Sequence, residues 1–177
     1  MVATFDTHHR QMTALAPSAQ TADLDTALQA ERTRLLKEAN INPKTGLATD
    51  YLNHFNEAIM LLEMIPDMPE CAEDFLSWQP KTYREHFEDS NLKAKDLMIQ
   101  AYEEADTALR SEFDRVVRSM RDILLAVSEG MRSTKQDCTR IKLAAETIGW
   151  IAPLLAMAAA LIHGGPDSSN IDSIMEA

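Results

Sequence analysis

The residues best suited to chemistry lie in one apolar segment, DYLNHFNEAIMLLEM, which spans residues 50–64. Asp50, His54 and Glu57 occur there at i, i+4 and i+7, a spacing that places their side chains in one row on a helix. Carboxylate oxygens and imidazole nitrogens are common ligands of divalent metals. The row predicts either part of a metal site or the polar border of a core helix, with the histidine hydrogen-bonded to a neighbouring carboxylate.

A complete metal site would need at least one further ligand from another part of the chain. Glu85, His86 and Glu88 are the candidates, because they lie together in a later polar segment. The Glu-x-x-His pattern of ferritin-like di-iron proteins does not occur, and the chain has the reverse order, His54-x-x-Glu57. The favoured interpretation of the row is therefore a helix border, and metal binding is the alternative.

Four acidic residues form a second pattern, Glu85-x-x-Glu88, then fourteen residues, then Glu103-x-x-Asp106. This pattern resembles the acidic signature of the MazG-like, all-α nucleoside triphosphate pyrophosphatases. The resemblance implies that these carboxylates, on adjacent helices, hold magnesium against a substrate triphosphate while water attacks. It would make all four residues metal ligands, with Mg²⁺ or another divalent metal as the only cofactor.

Local contacts offer an explanation of the same acids that needs no metal. On a helical wheel Asp106 falls inside an apolar stripe, where a carboxylate must be paired, protonated or metal-bound, and Arg110 one turn later can pair with it. Glu85 is also the acid of a capping box. The chain has no Ser/His/Asp arrangement and no glycine-rich phosphate loop. We therefore expect a non-enzymatic protein, with the magnesium-dependent pyrophosphatase as the alternative.

The charge distribution limits the partners that the protein can bind. A net charge of -11 argues against nucleic acid and against an anionic membrane surface, because their phosphates would be repelled. Residues 47–90 contain ten acidic residues against only Lys81 and Arg84. This acidic segment predicts a solvated face or a docking surface for a basic partner. Cys71 and Cys138 lack metal or redox spacing and suggest buried, reduced thiols in a cytoplasmic protein.

Apolar periodicity and turn residues divide the chain into helices. A first helix is predicted over about residues 21–39, and a second over residues 50–64, which Pro66 ends. Residues 66–90 form a connector with two short helical turns, one of them opened by the capping box Thr82-x-x-Glu85. Aromatic side chains should hold this connector against the other helices, namely Phe75, Trp78, Tyr83 and Phe87.

The strongest signal is an apolar stripe of helical period over residues 92–131, which predicts one helix of about forty residues. Gly130 is a natural end for it. A last helix is predicted from the capping box Ser133-x-x-Gln136 to His163, where a glycine pair follows. Its residues 147–162 are almost wholly apolar but contain Pro153 and are slightly short for a bilayer. A core helix is favoured, and membrane association is the alternative.

Together these elements predict an all-α, antiparallel bundle of about four main helices, with one long helix and a short-helix connector. Residues 1–20 would be a flexible N-terminal arm without the features of a signal peptide, residues 21–163 a single domain, and residues 164–177 a polar tail. The far half of so long a helix needs cover, so we expect a homodimer. The predicted function is protein–protein interaction in the cytoplasm, in a regulatory or adaptor role, through the acidic segment.

Overall fold

The computed structural model describes residues 19–165, and the side chains from residue 23 onward. This part of the chain is all-α, as predicted, and contains seven α-helices and no strand beyond a single bridge between Ile41 and Ala48. The predicted arm and tail lie almost entirely outside it. The helices are α1 (Ala19–Glu38), α2 (Leu52–Met64), α3 (Cys71–Ser77), α4 (Tyr83–Glu88), α5 (Lys95–Glu104), α6 (Thr107–Arg132) and α7 (Asp137–His163).

The prediction of one helix over residues 92–131 is wrong, because the chain breaks between α5 and α6. Ala105 and Asp106 adopt ψ angles of 153° and 130°, which are not helical. The Asp106 carboxylate accepts a hydrogen bond from the backbone N–H of Leu109 at 2.9 Å and so caps α6. The longest described helix is therefore α7, with 27 residues.

The apolar stripe is buried on both sides of this break. Met98 belongs to α5, and Phe113, Met120 and Leu124 belong to α6, yet all four lie in the same core. A new helix can start after two extended residues and still present its apolar face to the same neighbours. The periodicity therefore identified the buried side chains correctly but not the continuity of the helix.

Helices α6 and α7 form an antiparallel hairpin, and α2 packs along α7. The link between α6 and α7 differs from the prediction. Ser133 does not open α7; its hydroxyl donates to the carbonyl of Gly130 at 2.7 Å at the end of α6, and Gly130 lies inside that helix. The predicted glycine stop of α7 is confirmed, since Gly164 adopts a left-handed conformation with φ of 94°.

The loop over residues 40–48, which follows α1, contacts the last turn of α7 and the C-terminal half of α5. The buried Thr45 hydroxyl donates to the carbonyl of Ile162 at 2.7 Å and so holds the loop to the last turn of α7. Gly46 has φ of 71°, and a Cβ atom there would lie 2.5 Å from the carbonyl oxygen of Ala101. Only glycine allows this approach of the loop to α5.

The predicted connector is packed as expected. Thr82 and Glu85 form the complete capping box of α4, with Thr82 N–H donating to Glu85 Oε2 at 2.8 Å. Phe75, Tyr83 and Phe87 are buried, and Trp78 is half-buried. Helices α3 and α4 are therefore part of the folded unit and hold their residues in fixed positions.

Helix α7 is long and apolar enough to cross a membrane by length and composition, and it is the one such helix in residues 19–165. Its buried side chains, Ala144, Thr147, Ile151, Ala158 and Ile162, face α2 and α6. In the most apolar stretch of 18 residues in this helix, 22% is buried. The helix thus contributes one narrow stripe to the core and leaves apolar residues on its outer face.

Candidate functional site

The first predicted site residue, His54, is a buried structural side chain. Its Nε2 atom accepts a hydrogen bond from the backbone N–H of Lys81 at 2.8 Å, and its ring stacks on Trp78 with centroids 4.7 Å apart. Burial, followed by the charges of His86 and Lys81, lowers the pKa of His54 to about 4. The hydrogen-bond partner is a backbone amide instead of the predicted neighbouring carboxylate. The Nε2 lone pair is therefore already used within the fold.

Of the other two members of the row, Glu57 lies beside His54 and Asp50 does not. Glu57 is exposed and borders a shallow depression of about 280 Å³ with His54, His86, Lys81 and Asp89. The Lys81 ammonium lies in this depression and pairs with Asp89 at 2.8 Å. Asp50 does not line it. The structure thus brings His86 close to His54, with ring centroids 5.7 Å apart. It also places the Lys81 ammonium beside them, and a positive charge there disfavours a bound metal cation.

The four acids of the pyrophosphatase-like pattern are each held by a protein group. Arg84 pairs with Glu88 from the same helix and with Glu103 from α5, so these two carboxylates converge on a guanidinium. Glu85 accepts from Thr82 in the capping box, and Asp106 caps α6. Over residues 19–165 no three His, Cys, Asp or Glu side chains are placed to hold a metal ion. The arrangement does not fit a magnesium site.

Two i, i+4 pairs of opposite charge on the long segment, the predicted Asp106–Arg110 pair and Asp114–Arg118, do not form ion pairs in residues 19–165. Asp106 is exposed and is therefore not a core acid. Arg110 does not pair with Asp106 but donates to the backbone carbonyl of Glu103 at 2.8 Å. Asp114 accepts from the hydroxyl of Tyr102 at 2.7 Å and forms no pair with Arg118. Both side chains are used by contacts across the α5–α6 break, which a single continuous helix would not contain.

The acidic segment, residues 47–90, carries its carboxylates on the surface. Four of its acids have partners: Glu73 pairs with Arg140, Glu85 is in the capping box, Glu88 pairs with Arg84 and Asp89 with Lys81. The remaining six form no ion pair with any described residue, namely Asp50, Glu57, Glu63, Asp67, Glu70 and Asp74. They give this region an uncompensated negative charge.

Helix α1 carries an apolar stripe that no described residue covers. Leu24 and Leu28 are each 61% exposed, and Leu35 is 42% exposed, although their spacing places them on one face. The helix is attached through its last turn, where Leu36 is buried, and through the ion pair of Arg32 with Glu104. The sequence predicted this helix, and the structure shows that its leucines do not all share one environment. The adjacent Leu35 and Leu36 point about 100° apart, so only one of them can face the core.

A second apolar surface lies between α2 and α7. It is a groove of about 460 Å³ lined largely by aliphatic side chains of the two helices, including Ile59, Ile148 and Leu155. Met60, Trp150 and Met157 are also exposed on these two helices but do not line the groove, and Trp150 and Met157 lie on the opposite face of α7. A contiguous apolar groove of this kind on the surface favours an interaction site, whereas single exposed apolar residues do not.

Comparison of the chain with protein-family models, with curated proteins and with solved structures finds no match.

Proposed function

We propose that this chain acts by binding other proteins, and that a second copy of itself is the first such partner. The observation that carries the proposal is the leucine stripe of α1, which consists of Leu24, Leu28 and Leu35. A helix of 20 residues is about 30 Å long and is marginal in water on its own, so most helices of this length depend on packing of an apolar face. In α1 that face has no partner among the described residues.

The groove between α2 and α7 is the surface that suits this stripe. An amphipathic helix placed in an apolar groove is a common mode of recognition, with anchors at i, i+4 and further turns. Each copy of the chain carries one ridge and one groove, so two copies can offer each other the same pair of surfaces. Ion pairs of Arg34 with Glu31 and Glu38 support α1 on its polar side and leave the leucines free for this contact.

The acidic segment supplies a second surface, for a partner of opposite charge. Its six carboxylates without ion pairs favour a basic protein over nucleic acid or an anionic membrane. We therefore keep the regulatory or adaptor role in the cytoplasm, which the sequence predicts, as part of this proposal. The pyrophosphatase alternative lacks comparable support, because each of its four acids already has a protein partner.

Self-association is tested by sedimentation velocity of the full chain over a range of concentrations. We expect a dimer for the native sequence and a monomer for the double variant Leu24→Glu and Leu28→Glu. Burial of a leucine contributes about 1.5–3 kcal/mol, so two charges there should weaken association by roughly a hundredfold or more. Leu92→Glu is the matched control, because Leu92 is also exposed, at 40%, but lies outside α1 and the groove.

Two results would contradict this proposal. One is a monomer at every concentration for the native chain. The other is co-flotation of the native chain with neutral lipid vesicles that is lost in Trp150→Glu, which would assign the outer face of α7 to a membrane. Circular dichroism of each variant checks that the helices are retained.

A further inference from the structure

Helix α7 carries a further apolar surface on the side away from the groove. Its apolar residues occur at i, i+4, i+7 and i+11 and form one outer stripe along the helix, namely Trp150, Leu154, Met157 and Leu161. Trp150 and Met157 are 49% and 44% exposed, and Leu154 and Leu161 are half-buried. Within residues 19–165 the outer stripe is therefore only partly covered.

Charge distinguishes the outer stripe from the groove. Residues 147–162 of α7 contain no charged side chain, so no carboxylate lies beside the stripe on its own helix. The groove lies on the other side of α7 and is lined partly by Glu63 of α2. A segment with both apolar and acidic side chains therefore meets less repulsion from the helix on the outer stripe than from the carboxylate in the groove.

The backbone turns sharply where α7 ends. Gly164 and Gly165 have φ angles of 94° and 74°. Gly165 N–H donates to the carbonyl of Ala160 at 2.7 Å, and Gly164 N–H to that of Leu161 at 3.2 Å, which is the hydrogen-bond pattern of a Schellman motif. Pro166 follows and disfavours a return to the helix. The chain thus leaves the helix axis only four residues after Leu161, the last member of the outer stripe.

The sequence after this turn has an apolar pattern of its own. Residues 166–177, PDSSNIDSIMEA, lie outside the described part of the chain, and their large apolar side chains are Ile171, Ile174 and Met175. The spacing i, i+3, i+4 would place these three on one side of a helical turn. Asp172 would fall on the other side. Such a segment is suited to lie on an apolar surface with its acidic side chains in water.

The distances along the chain allow this contact. Met157 is eight residues before Gly165, so it lies about 12 Å back along the axis of α7. Ile174 is nine residues after Gly165. Three extended residues followed by six helical ones span roughly 19 Å, which is enough to reach Met157 after a reversal.

From this arrangement we propose that residues 166–177 fold back along α7 and cover the outer stripe of the same chain. Their three large apolar side chains lie against Met157 and Leu161, and both surfaces lose contact with water. The contact uses neither the leucine stripe of α1 nor the groove, so it is independent of the self-association proposed above. It leaves those two surfaces open to a partner.

Disulfide cross-linking in the full chain tests the proposal. Met157→Cys with Ile174→Cys, in a Cys138→Ser background that removes the exposed native thiol, should form a disulfide within one chain under mild oxidation. Mass spectrometry of the intact, alkylated protein counts the free thiols that remain. Non-reducing gel electrophoresis separates any disulfide between two chains.

The matched control is Ala156→Cys with Ile174→Cys in the same background. Ala156 is exposed and adjacent to Met157, so the segment has the same length of chain to reach it, but Ala156 lines the groove. A preference for the outer stripe of about 1.4 kcal/mol would make the Met157 pair react roughly tenfold faster.

Two further variants examine the contact itself in the Met157 pair. Ile171→Ser removes an apolar side chain and should lower the rate towards that of the Ala156 pair. Ser168→Ala changes a polar position of the same segment and should keep the rate within about twofold. Circular dichroism of each variant checks that the helices are retained.

The proposal is overturned if the two cysteine pairs react at the same rate or if the Ala156 pair reacts faster, which would assign the segment to the groove. A disulfide only between two chains would make a second copy the occupant of the outer stripe. Neutral lipid vesicles that block the Met157 cross-link would assign this face to a membrane.

Discussion

His54 accepts a hydrogen bond from a backbone amide 27 residues further along the chain, and this contact decides its chemistry. A histidine that uses its neutral Nε2 atom in this way resists protonation, because the imidazolium has no acceptor there. The buried ring adds to the effect. At the residue scale, a side chain that the sequence offers as a ligand acts as a structural tie between α2 and the connector.

Lowering the pH should destabilise the protein through His54. The pKa is about 4 in the folded chain and about 6.5 when unfolded, so the unfolded chain binds the proton first as the pH falls below 6.5. The free energy of unfolding should therefore fall between pH 6.5 and 4, by on the order of 3 kcal/mol from this residue, and be unaffected by it above pH 7. Urea unfolding monitored by circular dichroism across this range measures the loss.

His54→Gln provides the comparison, because the glutamine Oε1 atom can replace Nε2 as an acceptor for the Lys81 amide but does not titrate. Its unfolding free energy should fall less steeply between pH 6.5 and 4. The lowered pKa of His86, caused mainly by burial, contributes in the same direction to both proteins and cancels in the difference. Parallel pH profiles for the native chain and the variant would show that His54 is not the group responsible.

Residue roles were predictable from the sequence only where the partner is close in the chain. Thr82 and Glu85 are three positions apart, so their capping box could be identified and is confirmed. The partners of His54 and Asp114 come from other elements, and neither could be inferred from helical spacing. Arg118 shows the consequence: within residues 19–165 it forms no ion pair with Asp114, one turn earlier, whose carboxylate instead accepts from Tyr102, twelve residues before it.

At the element scale, the start of α6 depends on the side chain of Asp106. Asp106→Ala should destabilise the protein by about 1 kcal/mol, since the Leu109 N–H loses its acceptor. Asp106→Asn keeps an oxygen in the same position and should cost only a few tenths of a kcal/mol. Thermal unfolding of the three proteins gives the comparison. Equal losses for both variants would mean that the negative charge, and not the cap, is what α6 requires.

The sequence predicted the helical elements well and their junctions less well. Apolar periodicity located the buried faces of α2, α5, α6 and α7, because burial depends on a pattern spread over many residues. The α5–α6 break depends on one side chain, and the stripe continues in register through it. Aspartate is a preferred N-cap residue, so the signal for that break in the sequence was Asp106 itself.

At the scale of the whole molecule, the net charge of -11 sets how two copies interact. Repulsion between two such copies extends over about 30 Å at 0.01 M salt but only about 8 Å at 0.15 M. Contact between the leucine stripe and the groove is apolar and is not weakened by screening. Self-association should therefore become tighter as NaCl is raised from 0.01 to 0.15 M, as measured by sedimentation velocity.

Neutralising part of the acidic segment separates this effect from any change in the apolar contact. The triple variant Asp67→Asn, Glu70→Gln and Asp74→Asn removes three exposed carboxylates that lie outside the groove and form no ion pair with any described residue. It should associate more tightly than the native chain at 0.01 M salt and equally at 0.15 M, because only the screened repulsion has changed. If instead salt weakens the native dimer, charge pairing must hold the two copies together, and the acidic segment of one copy would have to face basic residues of the other.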